Sequence, residues 1–201
     1  MNLFVVPSWY PSPRNPTHGI FIKEQVDMMA KLRPEWNIGV SLWGQGDPER
    51  QIWAKDHIRN IRKIMRHHPT PETENERGIT TYSSSALSWT KRFRKGNIRK
   101  IIECNERNYI SFQHEFGKPD LIMVQASYPG ALIGAYLSKK YGVPYQVHVR
   151  MGGFMFERLL NDLGSQQEEF ITSINLADYT TVTSDFQADQ IRKWIPNTRT
   201  I

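Results

Sequence analysis

The residues with most chemistry to offer lie at both ends of the chain. Arg150-Met151-Gly152-Gly153 sets a guanidinium beside two glycines, which allow a sharp backbone turn next to a cation. A guanidinium so placed suits a phosphate or a carboxylate; the other reading is an ion pair with Glu157 nearby. His148, two residues earlier, sits inside an apolar run, where a histidine serves either as a core residue or as an acid–base group. Near the N-terminus, Pro7 to Gly19 packs prolines, Trp9, Tyr10, His18 and Gly19 between an apolar run and a helical pattern. A helix beginning at Gly19 presents unpaired N–H groups and the positive end of its dipole to an anion. His18 beside it can donate a hydrogen bond, move a proton or simply cap the helix. Trp9 and Tyr10 offer a stacking surface or loop packing.

Two other constellations carry less. His57, His67 and His68 lack zinc-ligand spacing and no second cysteine assists them, so no metal is expected. Ser83-Ser84-Ser85 has no local acidic or histidine partner for a nucleophile. No GxGxxG is present, so a nicotinamide dinucleotide is not expected, and no cofactor is assigned.

The elements that must position these residues follow from the hydropathy pattern. Leu3–Val6 reads as a buried strand stopped by Pro7, and Ile20, Phe21, Met28, Met29 and Leu32 recur as one face of a helix ended by Pro34. Trp36–Trp43 and Gly78–Tyr82 read as strands, Ile98–Phe116 as a long helix, and Asp120–Val124 as a strand. Gly130–Tyr141 is predicted to be a helix closed by Gly142 as a left-handed cap, before a strand at Tyr145–Val149. Ser165-Gln166-Gln167-Glu168 and Ser184-Asp185-Phe186-Gln187 read as capping boxes, the first opening a helix to Ala177, the second following a strand at Tyr179–Val182. Residues 44–77 read as a polar, basic insertion with one amphipathic helix at Ile52–Met65.

Short apolar strands alternating with helices imply an α/β fold, a Rossmann-like parallel sheet flanked by helices. Ligands of such sheets sit beyond the carboxyl ends of the strands. That rule selects Pro7–Gly19, the segment after Trp43, Gln125–Pro129 and Arg150–Phe154 as the functional loops.

At 201 residues the chain suffices for one full domain, and 39% hydrophobic with 23% charged residues fits an ordinary globular protein. No apolar run could span a bilayer, no signal peptide is evident, and a lone cysteine, Cys104, excludes an internal disulfide; a cytoplasmic setting is expected. The net charge of +6 favours anionic partners. Trp89-Thr90-Lys91-Arg92-Phe93-Arg94-Lys95 mixes aromatic and basic residues, as in a solvated loop or a segment peripheral to an anionic membrane. Nucleic acid is not expected as a partner, since nothing beyond charge supports it.

Three ordered stretches, SWYPSPRNPTHGIFIKEQ, KPDLIMVQASYPGALIGAYLSKKYGVPYQVHVR and ADYTTVTSDFQADQI, together resemble the N-terminal domain of bacterial sugar transferases of glycosyltransferase family 4. The likeness spans most of the chain outside residues 44–77. It implies the acceptor-side half of a GT-B enzyme, with the nucleotide-sugar domain absent from these 201 residues. It implies retaining sugar transfer to a carbohydrate or lipid-linked acceptor in polysaccharide or glycolipid synthesis. Carried onto this sequence, it sets Gly19 and His18 near the donor phosphates, and Trp9, Tyr10, Ser127, Tyr128, Gly152 and Gly153 toward the acceptor. Arg150 falls where relatives carry a histidine or the arginine of an Arg-Gly-x-Asp loop; Met151-Gly152-Gly153 replaces the rest, so the acidic residue of that variant is missing. Arg150 and His148 remain the catalytic candidates. The competing reading is a non-catalytic phosphate- or nucleotide-binding module.

Overall fold

A computed structural model describes residues 1–13, 15–45, 71–84, 86 and 94–200, side chains excepted at 94–97 and 200. The expected helix at Ile52–Met65, the histidines at 57, 67 and 68, Ser85, and the stretch from Trp89 to Phe93 lie outside the described residues.

Chain order runs β1 (Asn2–Pro7), α1 (Ile20–Leu32), β2 (Asn37–Leu42), β3 (Glu72–Glu76), β4 (Ile79–Ser83), α2 (Arg94–Phe116) and β5 (Leu121–Gln125). There follow α3 (Gly130–Tyr141), β6 (Tyr145–His148), α4 (Gly153–Leu163), a 3-10 turn, α5 (Gln167–Asn175), β7 (Tyr179–Val182), α6 (Asp185–Ile191) and β8 (Thr198–Thr200). The sheet order is β3-β4-β2-β1-β5-β6-β7-β8, and every pairing is parallel except β3 on β4. The fold is therefore α/β and Rossmann-like, as the alternation of strands and helices requires. Leaving β3 aside, the order reverses between β1 and β5, which makes the carboxyl ends of those two strands the switch point where such sheets bind ligands.

Strand alternation sorts the core into two layers. Leu3 and Val5 pack with Ile38, Val40 and Ile79 beneath Ile22 and Val26 of α1. Phe4, Val6, Tyr82, Ile122, Val124 and Val147 face the opposite way, against α2, α3, α4 and α5. Gly39 makes room for the second layer: a Cβ there would lie 2.2 Å from the Phe112 ring.

Two aspartates fix strand register. The carboxylate of Asp120 accepts the Asn2 N–H at 2.7 Å, and that of Asp178 accepts the Tyr145 N–H at 2.9 Å. Each satisfies a donor at the start of a neighbouring strand. Gly142 closes α3 in the left-handed conformation, φ 63°, and Ser184 caps α6 by accepting the Gln187 N–H at 3.2 Å.

The structure departs from the sequence reading in four places. On α1 the buried residues are Ile22 and Val26, while Ile20, Phe21, Met28 and Leu32 are exposed. The sheet selects the i,i+4 pair nearest it, and the expected stripe lies a third of a turn away. Ser165 forms no capping box; residues Gly164–Gln166 are a 3-10 turn and α5 starts with no side-chain cap. Part of the supposed insertion is β3, fully exposed and joined to β4 by a turn with positive φ at both Arg77 and Gly78, the two-residue form whose twist suits a hairpin. Finally, α4 occupies Gly153–Leu163, with Phe156, Leu160 and Leu163 buried at helical spacing, where no helix is expected.

Candidate functional site

The switch point is tied together by backbone. Ser8 N–H donates to the Gln125 carbonyl at 2.8 Å, and Ala126 N–H donates to the His148 carbonyl at 3.1 Å. The Ser8 hydroxyl donates to the Ala126 carbonyl at 2.7 Å and accepts the Gly130 N–H at 3.2 Å. Ala126 is held at φ 63°, a left-handed conformation that alanine adopts only under constraint. The loops following β1, β5 and β6 are thus locked as one rim.

Arg150 crosses this rim. Its Nε and Nη2 donate to the Gln125 side-chain oxygen at 3.2 and 3.0 Å, and Nη2 also donates to the Gln25 side-chain oxygen. The guanidinium lies over the Phe21 ring at 4.8 Å. Nη1 has no hydrogen bond among the described residues, and no described carboxylate pairs with the group. Glu157, the expected alternative partner, lies instead 3.9 Å from Lys193. Burial lowers the Arg150 pKa, yet an arginine stays cationic throughout the physiological range. The result is a positioned positive charge that no carboxylate among the described residues compensates.

Neutral polar groups surround it. His148 is almost fully buried, and burial, with the charge of Arg150 second, pushes its pKa down to about 4. It is a neutral imidazole at pH 7, and its Nε2 has no partner among the described residues. The buried Ser127 hydroxyl, one residue beyond Ala126, also lacks one, as does Nδ1 of His18. Unpaired buried polar atoms are uncommon; Trp43 Nε1 and the Tyr109 hydroxyl are two more among the described residues.

The residues singled out in the sequence fall into three groups. Trp9, His18 and Phe21 form one aromatic set: Trp9 lies 6.3 Å from each of the other two rings, and Phe21 reaches Arg150. Ser127 and His148 join Arg150 at the switch point. Tyr10 is elsewhere, buried in the layer beneath α1, and Tyr128 turns toward the opposite layer, its ring edge-on to Phe170 at 5.6 Å. The three glycines serve close internal packing. Gly19 adopts φ 71°, and a Cβ on it would stand 2.6–2.8 Å from the backbone of Trp9 and Tyr10. Gly152 caps α4, and Gly153 donates its N–H to the Gln190 side chain at 2.8 Å while a Cβ would stand 2.7 Å from Gln190.

Sequence reasoning missed Gln25 and Gln125, the two carboxamides that aim Arg150. The signal for Gln125 is its place as the last residue of a strand at the order reversal; Gln25 carries none, because its partner is 125 residues away.

Among the described residues no group of three or more potential metal ligands gathers, and no helix is long and apolar enough to cross a membrane. A scan against family models finds no match, and a comparison with curated proteins finds none either. Among solved structures, the chain aligns along its whole length with Arabidopsis thaliana UGT89C1 complexed with UDP at 10% identity and TM-score 0.49, and with the same protein complexed with UDP-L-rhamnose at 9% and 0.48. It spans 48% and 51% of those chains, about half their length. Likeness at that level says nothing of chemistry.

Proposed function

We propose that this chain is the acceptor-side half of a GT-B sugar transferase, related to glycosyltransferase family 4, that moves a sugar from a nucleotide sugar to a carbohydrate or lipid-linked hydroxyl with retention. The observation that carries the reading is Arg150, a cation held by two neutral carboxamides at the switch point with Nη1 unengaged among the described residues. A departing nucleoside diphosphate develops negative charge, and a fixed guanidinium stabilises it without reorganising. Buried His148 and Ser127 beside it are neutral and leave the charge of the guanidinium undiminished, and Trp9 and Phe21 supply an apolar wall. Gly19 and His18 contribute to the donor-phosphate end of that wall. The nucleotide-binding half belongs to a second domain, and the setting is the cytoplasm, in polysaccharide or glycolipid assembly.

The test takes the longest polypeptide encoded in frame with this chain and measures sugar transfer from nucleotide sugars, as wild type and as Arg150→Ala. Loss of a fixed charge stabiliser should lower kcat by about 10²–10³. Transfer unchanged in Arg150→Ala would remove Arg150 from the mechanism. Absence of transfer, with tight nucleoside diphosphate binding by this chain alone, would make it a binding module instead.

A further inference from the structure

A cavity of about 270 Å³ opens between α1, the β3–β4 hairpin and the loop carrying Tyr10 to Pro13. Lys23 and Asp27 face it from α1, two residues on from Phe21 and Gln25 and so on the opposite flank of that helix. The cavity is therefore separate from the Arg150 rim. Its size falls just below that of drug-sized pockets and suits a single sugar-like ring.

Among the described residues the charge is one-sided. Lys23 Nζ is held by Asp27 at 3.1 Å and lies 3.9 Å from Glu76, so one ammonium faces the carboxylates of Asp27, Glu74 and Glu76. An anion is disfavoured there. A metal ion is disfavoured too, since these carboxylates do not converge with metal-ligand geometry among the described residues.

Tyr10 supplies the second observation. The residue is only 7% exposed, lines the cavity, and its hydroxyl makes no hydrogen bond among the described residues. Burial raises its pKa, and the charges of Asp27 and Glu76, which line the same cavity, raise it further. With the ring buried and the hydroxyl unengaged among the described residues, that oxygen is free to bond a group held in the cavity. The remaining walls divide by chemistry. Ser83 and Thr81 add hydroxyls, while Pro11, Pro13 and Ile79 offer an apolar face for ring C–H groups. Gln45 is a fixed wall, its side chain accepting the Trp43 N–H at 2.7 Å and donating to the Pro7 carbonyl at 3.1 Å.

We propose that this cavity binds a protonated amine carried on a polyhydroxylated ring, an aminosugar being the simplest example. The ammonium meets Glu74 and Glu76, the ring hydroxyls meet Tyr10, Thr81 and Ser83, and the prolines cover one ring face. The site stands independently of the transfer reading.

The experiment titrates the chain at neutral pH with glucosamine and, separately, with glucose, by calorimetry or saturation-transfer NMR. Glucosamine should bind saturably and at least about tenfold more tightly than glucose, the worth of one charge-assisted hydrogen bond. Glu76→Gln, at an exposed strand position, should weaken glucosamine about tenfold and leave glucose unchanged. Tyr10→Phe, which keeps the buried ring, should weaken both sugars alike. Equal affinity for the two sugars, no saturable glucosamine binding, or no effect of Glu76→Gln each overturns the assignment.

Discussion

Replacing Gly19 by alanine should destabilise the fold by an amount the structure allows to be worked out. Two costs combine. At φ 71° an alanine sits in the left-handed region, which costs about 1–2 kcal/mol. Its Cβ would also stand 2.6 Å from the Trp9 carbonyl carbon, 2.7 Å from its oxygen and 2.8 Å from the Tyr10 nitrogen. Ordinary contact begins at 3.4 Å, so the loop backbone must retreat by about 0.8 Å (3.4 less 2.6). Backbone cannot rotate aside as a side chain does, and overpacking of this kind costs about 1–3 kcal/mol. The sum is about 2–5 kcal/mol. Gly78 provides the control: φ is 81°, but nothing lies within 4 Å of its Cβ position, so Gly78→Ala should cost only the backbone term, about 1–2 kcal/mol. Urea denaturation of both variants, read as midpoint shifts at constant slope, separates the two terms. If Gly19→Ala loses no more stability than Gly78→Ala, the close approach of the first loop to the helix start is refuted.

Two further outcomes follow from other elements. The folded pKa of His148 lies near 4, below the ordinary 6.5, so the unfolded chain binds the additional proton between those values. Its stability contribution is therefore complete above about pH 6.5 and lost as pH falls toward 4, by about 1–2 kcal/mol after allowing for solvent beside Arg150. Urea titrations from pH 7 to 4 should show a shallower decline for His148→Gln than for wild type, and parallel declines would remove the effect. Ser184→Ala deletes the α6 cap and should cost about 1 kcal/mol, or about 2–4 °C in Tm by thermal denaturation; an unchanged Tm would show that the cap adds nothing.

Much of the fold is legible because it rests on local patterns. The buried strands are short apolar runs, Gly142 follows a helix where a left-handed cap belongs, and Ser184 precedes its helix with a free hydroxyl. Asp120 and Asp178, each just before a strand, pin register by accepting the Asn2 and Tyr145 N–H groups. What stays hidden depends on distant partners. The stretch forming β3, Glu72–Glu76, has no apolar residue in Glu-Thr-Glu-Asn-Glu, and only its pairing with β4 makes it a strand. The buried face of α1 is chosen by the sheet, since Ile20, Phe21, Met28 and Leu32 supply a competing apolar stripe. The Gly152-Gly153 pair reads as a loop and instead starts a helix, whose buried face, Phe156, Leu160 and Leu163, lies beyond the pair; closeness to Gln190 accounts for the second glycine. Of the candidate site, Arg150, His148, Trp9 and His18 are visible from residue type and position. The carboxamides that orient the arginine are not, for a glutamine carries no distinctive signal until its partner is beside it.

The carboxamide clamp has a consequence for how the rim responds to its surroundings. An arginine held by carboxylates is neutralised by them, and its setting changes when they take up protons in acid. Gln25 and Gln125 do neither. They fix the guanidinium through dipoles that never titrate, so its full charge faces the strand ends at any pH that leaves the fold intact. Anion attraction at Arg150 should accordingly track ionic strength and stay level across the neutral range, with any acid-side change coming from His148 alone among the neighbours that hold or flank it.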